Sequence, residues 1–109
     1  MEQIYNKLVR DKIPQIIKTN GENPIIEILS DERYKEELEK KLYEEYLEVI
    51  ESSGKNRLEE LADMLEVIKS LAALENKELE DIIDIANKKN EKRGAFNNKI
   101  YLKKVITNK

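Results

Sequence analysis

The feature that most limits the fold of this chain is the helical spacing of apolar side chains along two long segments. Apolar residues recur three or four positions apart after Ser30, as far as about Ser53, and again between Asn56 and Glu75. Such spacing gathers them on one face of a helix. The 109 residues contain only three glycines and two prolines, which fall where helices should begin or end. We therefore predict a single, mainly α-helical domain spanning residues 1–109.

Four helices and a small β element are predicted. Ser30 is expected to cap the second helix, and Asn56 with Glu59 has the form of a capping box at the start of the third. The predicted helices are residues 10–20, 31–53, 56–75 and 77–93. Two short segments rich in β-branched residues, 24–29 and 99–106, predict a two-stranded element.

The amino-acid composition restricts which binding partners and which cellular compartment we expect. The net charge of −3 argues against non-specific binding of nucleic acid, which needs a basic surface. The chain has no cysteine, no apolar run of membrane-spanning length and a polar N-terminus without the features of a signal peptide. We therefore expect a cytoplasmic protein that binds neither nucleic acid nor membranes.

Carboxylates occupy positions where the two long helices should carry apolar side chains. Glu45 fills a gap in the apolar stripe of the second helix, and Glu48 lies one turn further on. Glu60 and Asp63 extend an apolar stripe of the third helix backwards by one turn. If these helices form an antiparallel hairpin with a turn near residues 53–56, both pairs lie roughly 6–12 Å from the turn, at matching heights.

Four carboxylates in an apolar seam repel one another unless a cation neutralises them. The chain contains no histidine and no cysteine, so the available ligands are oxygens, which favour Mg²⁺ and allow Mn²⁺. An oxygen-bound divalent ion in a small helical protein indicates phosphate chemistry. The residue pattern thus predicts a magnesium site formed by Glu45, Glu48, Glu60 and Asp63.

Three segments of the chain resemble one known family. EEYLE at 44–48 with ELAD at 60–63 is similar to the EExxE…ExxD signature of the MazG-like, all-α nucleoside triphosphate pyrophosphohydrolases. YNKLVRDKIP at 5–14 and KRGAF at 92–96 resemble segments of a compact "house-cleaning" subgroup of that family. The resemblance runs from about Tyr5 to Leu102 and implies a MazG-like helical bundle that oligomerises through its helices.

The resemblance also implies an activity. Family members hydrolyse a nucleoside triphosphate, with a standard or modified base, to a monophosphate and pyrophosphate. Carried over, the four carboxylates bind magnesium and Glu44 orients or deprotonates the attacking water. Basic side chains near both ends of the chain are candidates for binding the phosphates: Lys7, Arg10, Lys12, Lys89, Lys92 and Arg93.

Two other functions remain open at this stage. The chain can be a non-catalytic helical interaction module in which the acidic pairs are only surface charges, or the phosphoribosyl-ATP pyrophosphohydrolase of histidine biosynthesis. The Lys-Leu-Val-Arg-Asp segment favours the house-cleaning subgroup over the latter. Because the helix at 56–75 is apolar on two sides, we also expect oligomerisation, and the resemblance implies a homodimer or homotetramer.

Overall fold

A computed structural model describes residues 1–107, so the last two residues of the predicted domain, Asn108 and Lys109, lie outside the described part. The described chain forms four helices: α1 (Ile13–Thr19), α2 (Asp31–Glu51), α3 (Gly54–Leu74) and α4 (Leu79–Arg93). The mainly helical fold class is confirmed, with helix ends within three residues of those predicted.

The two long helices form an antiparallel hairpin joined by Ser52 and Ser53. The buried apolar residues are Leu38 and Val49 of α2 and Val67 and Ala72 of α3. Helix α4 packs against α3, and α1 makes no comparable contact with another helix. The core of the described chain therefore lies chiefly along the α2–α3 seam.

Local interactions define where these helices begin and end. The Ser30 hydroxyl accepts a hydrogen bond from the Arg33 backbone N–H at 3.3 Å, which confirms the predicted cap of α2. At the end of α1, Gly21 adopts a φ of 84°, and the Glu22 N–H donates to the Ile17 carbonyl. Gly21 therefore ends the helix as predicted.

Three predicted helix starts are wrong by two or three residues. Helix α3 begins at Gly54, whose φ of 58° glycine adopts without steric cost, so Asn56 lies inside the helix and does not cap it. Helix α4 begins at Leu79, where Glu78 and Asp81 form a reciprocal capping box. Helix α1 likewise begins at Ile13, which leaves Arg10 in the non-helical segment before it.

The predicted two-stranded β element does not form within residues 1–107. The side chains of Ile25 and Ile28 are 88% and 90% exposed, and those of Ile100 and Tyr101 are 83% and 85% exposed. An isolated pair of strands is marginally stable unless one face is buried. Neither segment has an apolar surface covering it, so β-propensity alone does not produce the pairing.

The chain exposes far more surface than a compact chain of its size. Its accessible surface is 10530 Å², whereas a compact 12.8 kDa monomer exposes about 6300 Å². Its radius of gyration is 19.2 Å, against about 13 Å expected for this length. Within residues 1–107, no helix combines the length and the apolar character needed to cross a membrane.

Candidate metal centre

The α2–α3 hairpin brings the predicted carboxylates together. In α2, Glu45 lies between Leu38 and Val49 on the buried side of the helix, and it is the buried charged residue of the seam, 6% exposed. In α3, Glu60 and Asp63 are partly buried one turn before the apolar residues that face α2. The antiparallel hairpin brings Glu45 of α2 to the level of Glu60 and Asp63 of α3.

Three of the carboxylates surround one point. Oxygen atoms of Glu45, Glu60 and Asp63 all lie within 4.8 Å of one another. Oxygens on opposite sides of a magnesium ion are about 4.2 Å apart, twice the usual Mg–O distance. Oxygens at right angles around the ion are only about 3.0 Å apart, so the three side chains would have to move closer together to hold a small divalent cation.

Glu48 lies beside this group but is not one of the three clustered ligands. Its side chain is exposed, and its carboxylate interacts with Glu60. Hydrogen bonding to Glu48 is the largest cause of a pKa of Glu60 raised from 4.5 to about 7, followed by desolvation and by repulsion from Glu48, Asp63 and Glu45. Without a metal, the raised pKa therefore keeps Glu60 partly protonated near neutral pH.

Burial is the first cause of a raised pKa at Glu45, and repulsion from Glu48 is the second. The nearby Lys41 ammonium acts in the opposite direction. Glu45 Oε2 and Glu60 Oε2 are both buried without a hydrogen-bond partner. Buried polar atoms normally have partners, so two unpartnered carboxylate oxygens on the same cluster fit an oxygen-liganded cation.

Basic residues surround the cluster on two sides. Arg10 Nη2 lies 2.8 Å from Asp63 Oδ1, and Lys41 Nζ lies 3.8 Å from Glu45 Oε1. The predicted catalytic residue Glu44 contacts Lys41 at 3.4 Å and Lys7 at 4.0 Å. Two of the six basic residues singled out from the sequence, Lys7 and Arg10, are thus placed beside the carboxylates.

The other four predicted phosphate-binding residues are exposed. No ion pair or hydrogen bond joins them to the cluster within residues 1–107: Lys12, Lys89, Lys92 and Arg93. Lys41 was missed by the sequence reasoning. The sequence feature that could have identified Lys41 is its spacing. It lies three residues before Glu44 and four before Glu45, on the helix face that also carries Leu38.

Comparison with known proteins gives a partial similarity. A 43-residue stretch is 46% identical to an uncharacterized protein of Mycolicibacterium smegmatis. The stretch covers 39% of this chain and 44% of that protein, so the alignment spans less than half of either one. No protein-family model and no solved structure matches the chain. The similarity therefore assigns neither a family nor an activity.

Proposed function

We propose that this chain is a magnesium-dependent nucleoside triphosphate pyrophosphohydrolase that releases a nucleoside monophosphate and pyrophosphate. The observation that carries the proposal is the cluster of Glu45, Glu60 and Asp63, in which two buried carboxylate oxygens have no partner. These residues coincide with the metal ligands that the resemblance to MazG-like enzymes implies. Mn²⁺ is a chemically reasonable substitute, because it too prefers oxygen ligands.

In the proposed reaction, Glu44 holds the attacking water and accepts one of its protons as the water oxygen attacks the α-phosphorus. The bond between the α-phosphorus and the bridging oxygen breaks, and its electron pair leaves with pyrophosphate. Magnesium supplies charge neutralisation at the phosphate oxygens. Lys41 and Lys7 contact Glu44 and thereby restrict the position of its carboxylate.

The phosphates carry a large negative charge and need cations besides the metal. Lys7 and Arg10 lie on the segment next to the cluster and are the best-placed candidates. A planar guanidinium contacts phosphate oxygens through two hydrogen bonds, whereas an ammonium acts as a point charge. Contributions from Lys12, Lys89, Lys92 and Arg93 stay a prediction.

The direct test is pyrophosphate release from a panel of standard and modified nucleoside triphosphates and phosphoribosyl-ATP, with Mg²⁺ or with EDTA. The test variant is Glu45→Gln, which keeps the side-chain shape and removes the charge. Glu59→Gln is the matched control, because Glu59 is exposed on α3 beside the cluster. We expect metal-dependent release that is lost in Glu45→Gln and retained in Glu59→Gln.

Release that survives in EDTA or in Glu45→Gln would contradict the assignment. A preference for phosphoribosyl-ATP would change the substrate but keep the reaction. Glu44→Gln tests the water-activating role separately, since full turnover with normal metal binding would exclude it.

An exposed apolar stripe favours a second function, helical association. Leu58, Leu61 and Leu65 follow one face of α3 and are 67%, 44% and 47% exposed. The protomer exposes about 4200 Å² more than a compact monomer, several times the roughly 800 Å² that each partner buries in a standard interface. The proposed oligomer, a homodimer or homotetramer, uses this stripe. A non-catalytic module would use the same stripe but would show no response to magnesium.

A further inference from the structure

The segment before α1 is attached to the carboxylate cluster through charged side chains. Arg10 donates a hydrogen bond to Asp63, a residue 53 positions away in the sequence, at 2.8 Å. Three residues earlier, Lys7 pairs with Glu44 at 4.0 Å. Ile4 and Tyr5 are 75% and 62% exposed, so apolar burial contributes little to holding the start of this segment. Leu8 is half-buried, and the two ion pairs are the charged attachments of the segment to the hairpin.

Arg10 neutralises only part of the cluster. Its guanidinium contacts Asp63, while Glu45 Oε2 and Glu60 Oε2 stay buried and unpartnered. A small cation at the common point of the three carboxylates would contact all of them, Asp63 included. Such a cation and Arg10 would compete for the charge of Asp63 and would repel each other at close range.

The Arg10–Asp63 pair is easily broken. The Arg10 and Asp63 side chains are 59% and 42% exposed, and exposed ion pairs contribute little to stability. Lys41 differs from Arg10 because its side chain is only 20% exposed and extends from the regular helix α2. Of the two cations, the more exposed Arg10 is therefore the one that can leave the cluster more easily.

We propose that Arg10 is an internal counter-ion of the cluster, which a divalent cation displaces from Asp63. The released guanidinium then becomes available to a polyanionic ligand, so cation binding prepares the N-terminal segment for phosphate. This inference rests on the proposed metal site and adds to it an order of binding, metal before polyanion. The opposing model keeps Arg10 on Asp63 as a positioning residue that holds the ligand for the metal.

The two models predict opposite effects on magnesium affinity. Calorimetric titration of Mg²⁺ into the wild type and Arg10→Ala should show binding about threefold tighter in the variant, because a competitor has been removed. Arg33→Ala is the matched control, since Arg33 pairs with Glu27 at 2.9 Å with similar exposure, and it should bind as the wild type does. Unchanged or weaker binding in Arg10→Ala would overturn the proposal.

A second readout follows Arg10 itself. The chain has only four arginines, so the side-chain Nε–Hε signal of Arg10 can be assigned by its loss in Arg10→Ala. On addition of Mg²⁺ this signal should move and exchange faster with water, while the signal of Arg33 should stay in place. An Arg10 signal that is unmoved at saturating Mg²⁺ would overturn the displacement. If the wild type binds no Mg²⁺, both this inference and the proposed function fail, whereas binding without displacement removes this inference alone.

Discussion

A buried glutamate on an apolar helix face is the residue that most shapes this account. Glu45 occupies a seam position that a leucine would fill with less cost, and its Oε2 has no partner. Burial of a carboxylate with one unpartnered oxygen is unfavourable, and the raised pKa of Glu45 reflects that cost although Lys41 lies nearby. A residue that destabilises the metal-free seam is expected where a ligand compensates for it.

The raised pKa of Glu60 gives a pH dependence with a definite sign. Its folded-state pKa of about 7 exceeds the unfolded value near 4.5, so the folded protein binds the proton more tightly. The stabilisation that comes from binding this proton is fully present below the pKa of the unfolded state. It is lost as the pH rises through the pKa of the folded state. Without metal, Glu60 should therefore lower the stability of the wild type progressively between about pH 4.5 and pH 7.

Urea denaturation in EDTA at several pH values checks this expectation. The difference in unfolding free energy between Glu60→Gln and the wild type should grow in favour of the variant as pH rises across that window. Glu59→Gln should show no such trend, because Glu59 lies outside the cluster. A difference that is constant with pH would mean that Glu60 has an ordinary pKa in the folded chain.

At the scale of the elements, local signals predicted the helices and failed for the strands. Helix periodicity and the Ser30 cap depend on neighbours a few residues away, so the sequence is sufficient to locate α2. Strand pairing of segments 24–29 and 99–106 would need a distant partner strand and an apolar surface to cover it. The residue types of a short segment do not reveal whether either one exists. The alignment of Glu45 with Asp63 was predictable because the short connection fixes the register of the hairpin.

The partners of the cluster were less predictable. Arg10 was singled out as a phosphate ligand, but its pairing with Asp63 depends on how a non-helical segment crosses the hairpin. Lys41 stayed unnoticed because its sequence neighbours resemble an ordinary charged helix face. Side-chain pairing across elements thus required the structure, whereas the position of the carboxylates did not.

Helix capping supplies a prediction at this scale. Ser30→Ala removes the acceptor for the Arg33 N–H and should destabilise the protein by about 1 kcal/mol. Asn56→Ala is the control, because Asn56 lies within α3 and makes no cap. Chemical denaturation measures both variants, and an equal loss in Asn56→Ala would show that α3 begins later than Gly54.

At the scale of the molecule, the single chain leaves its apolar surface incompletely covered. Four apolar residues are buried, while Leu58, Leu61 and Leu65 are exposed along α3. Large exposed apolar patches are typical of association surfaces, which is the basis of the proposed oligomer. Packing the stripe of one hairpin against another would complete a four-helix core.

Light scattering coupled to size exclusion tests that association. The wild type should elute as a dimer or tetramer at micromolar concentration, and Leu65→Glu should shift it toward monomer, because a charge in the apolar contact is costly. Glu59→Lys also changes a charge on α3 but lies away from the stripe, and it should leave the mass unchanged. A wild type that is already monomeric at this concentration would exclude the proposed interface.

Anomalous diffraction from crystals soaked in Mn²⁺ would show whether the hairpin carboxylates hold a divalent cation. Manganese prefers the same oxygen ligands as magnesium and is visible by its anomalous signal. We predict a peak bonded to oxygens of Glu45, Glu60 and Asp63 in the wild type and no peak in Glu45→Gln. Full-occupancy manganese elsewhere, with the cluster empty, would contradict the account.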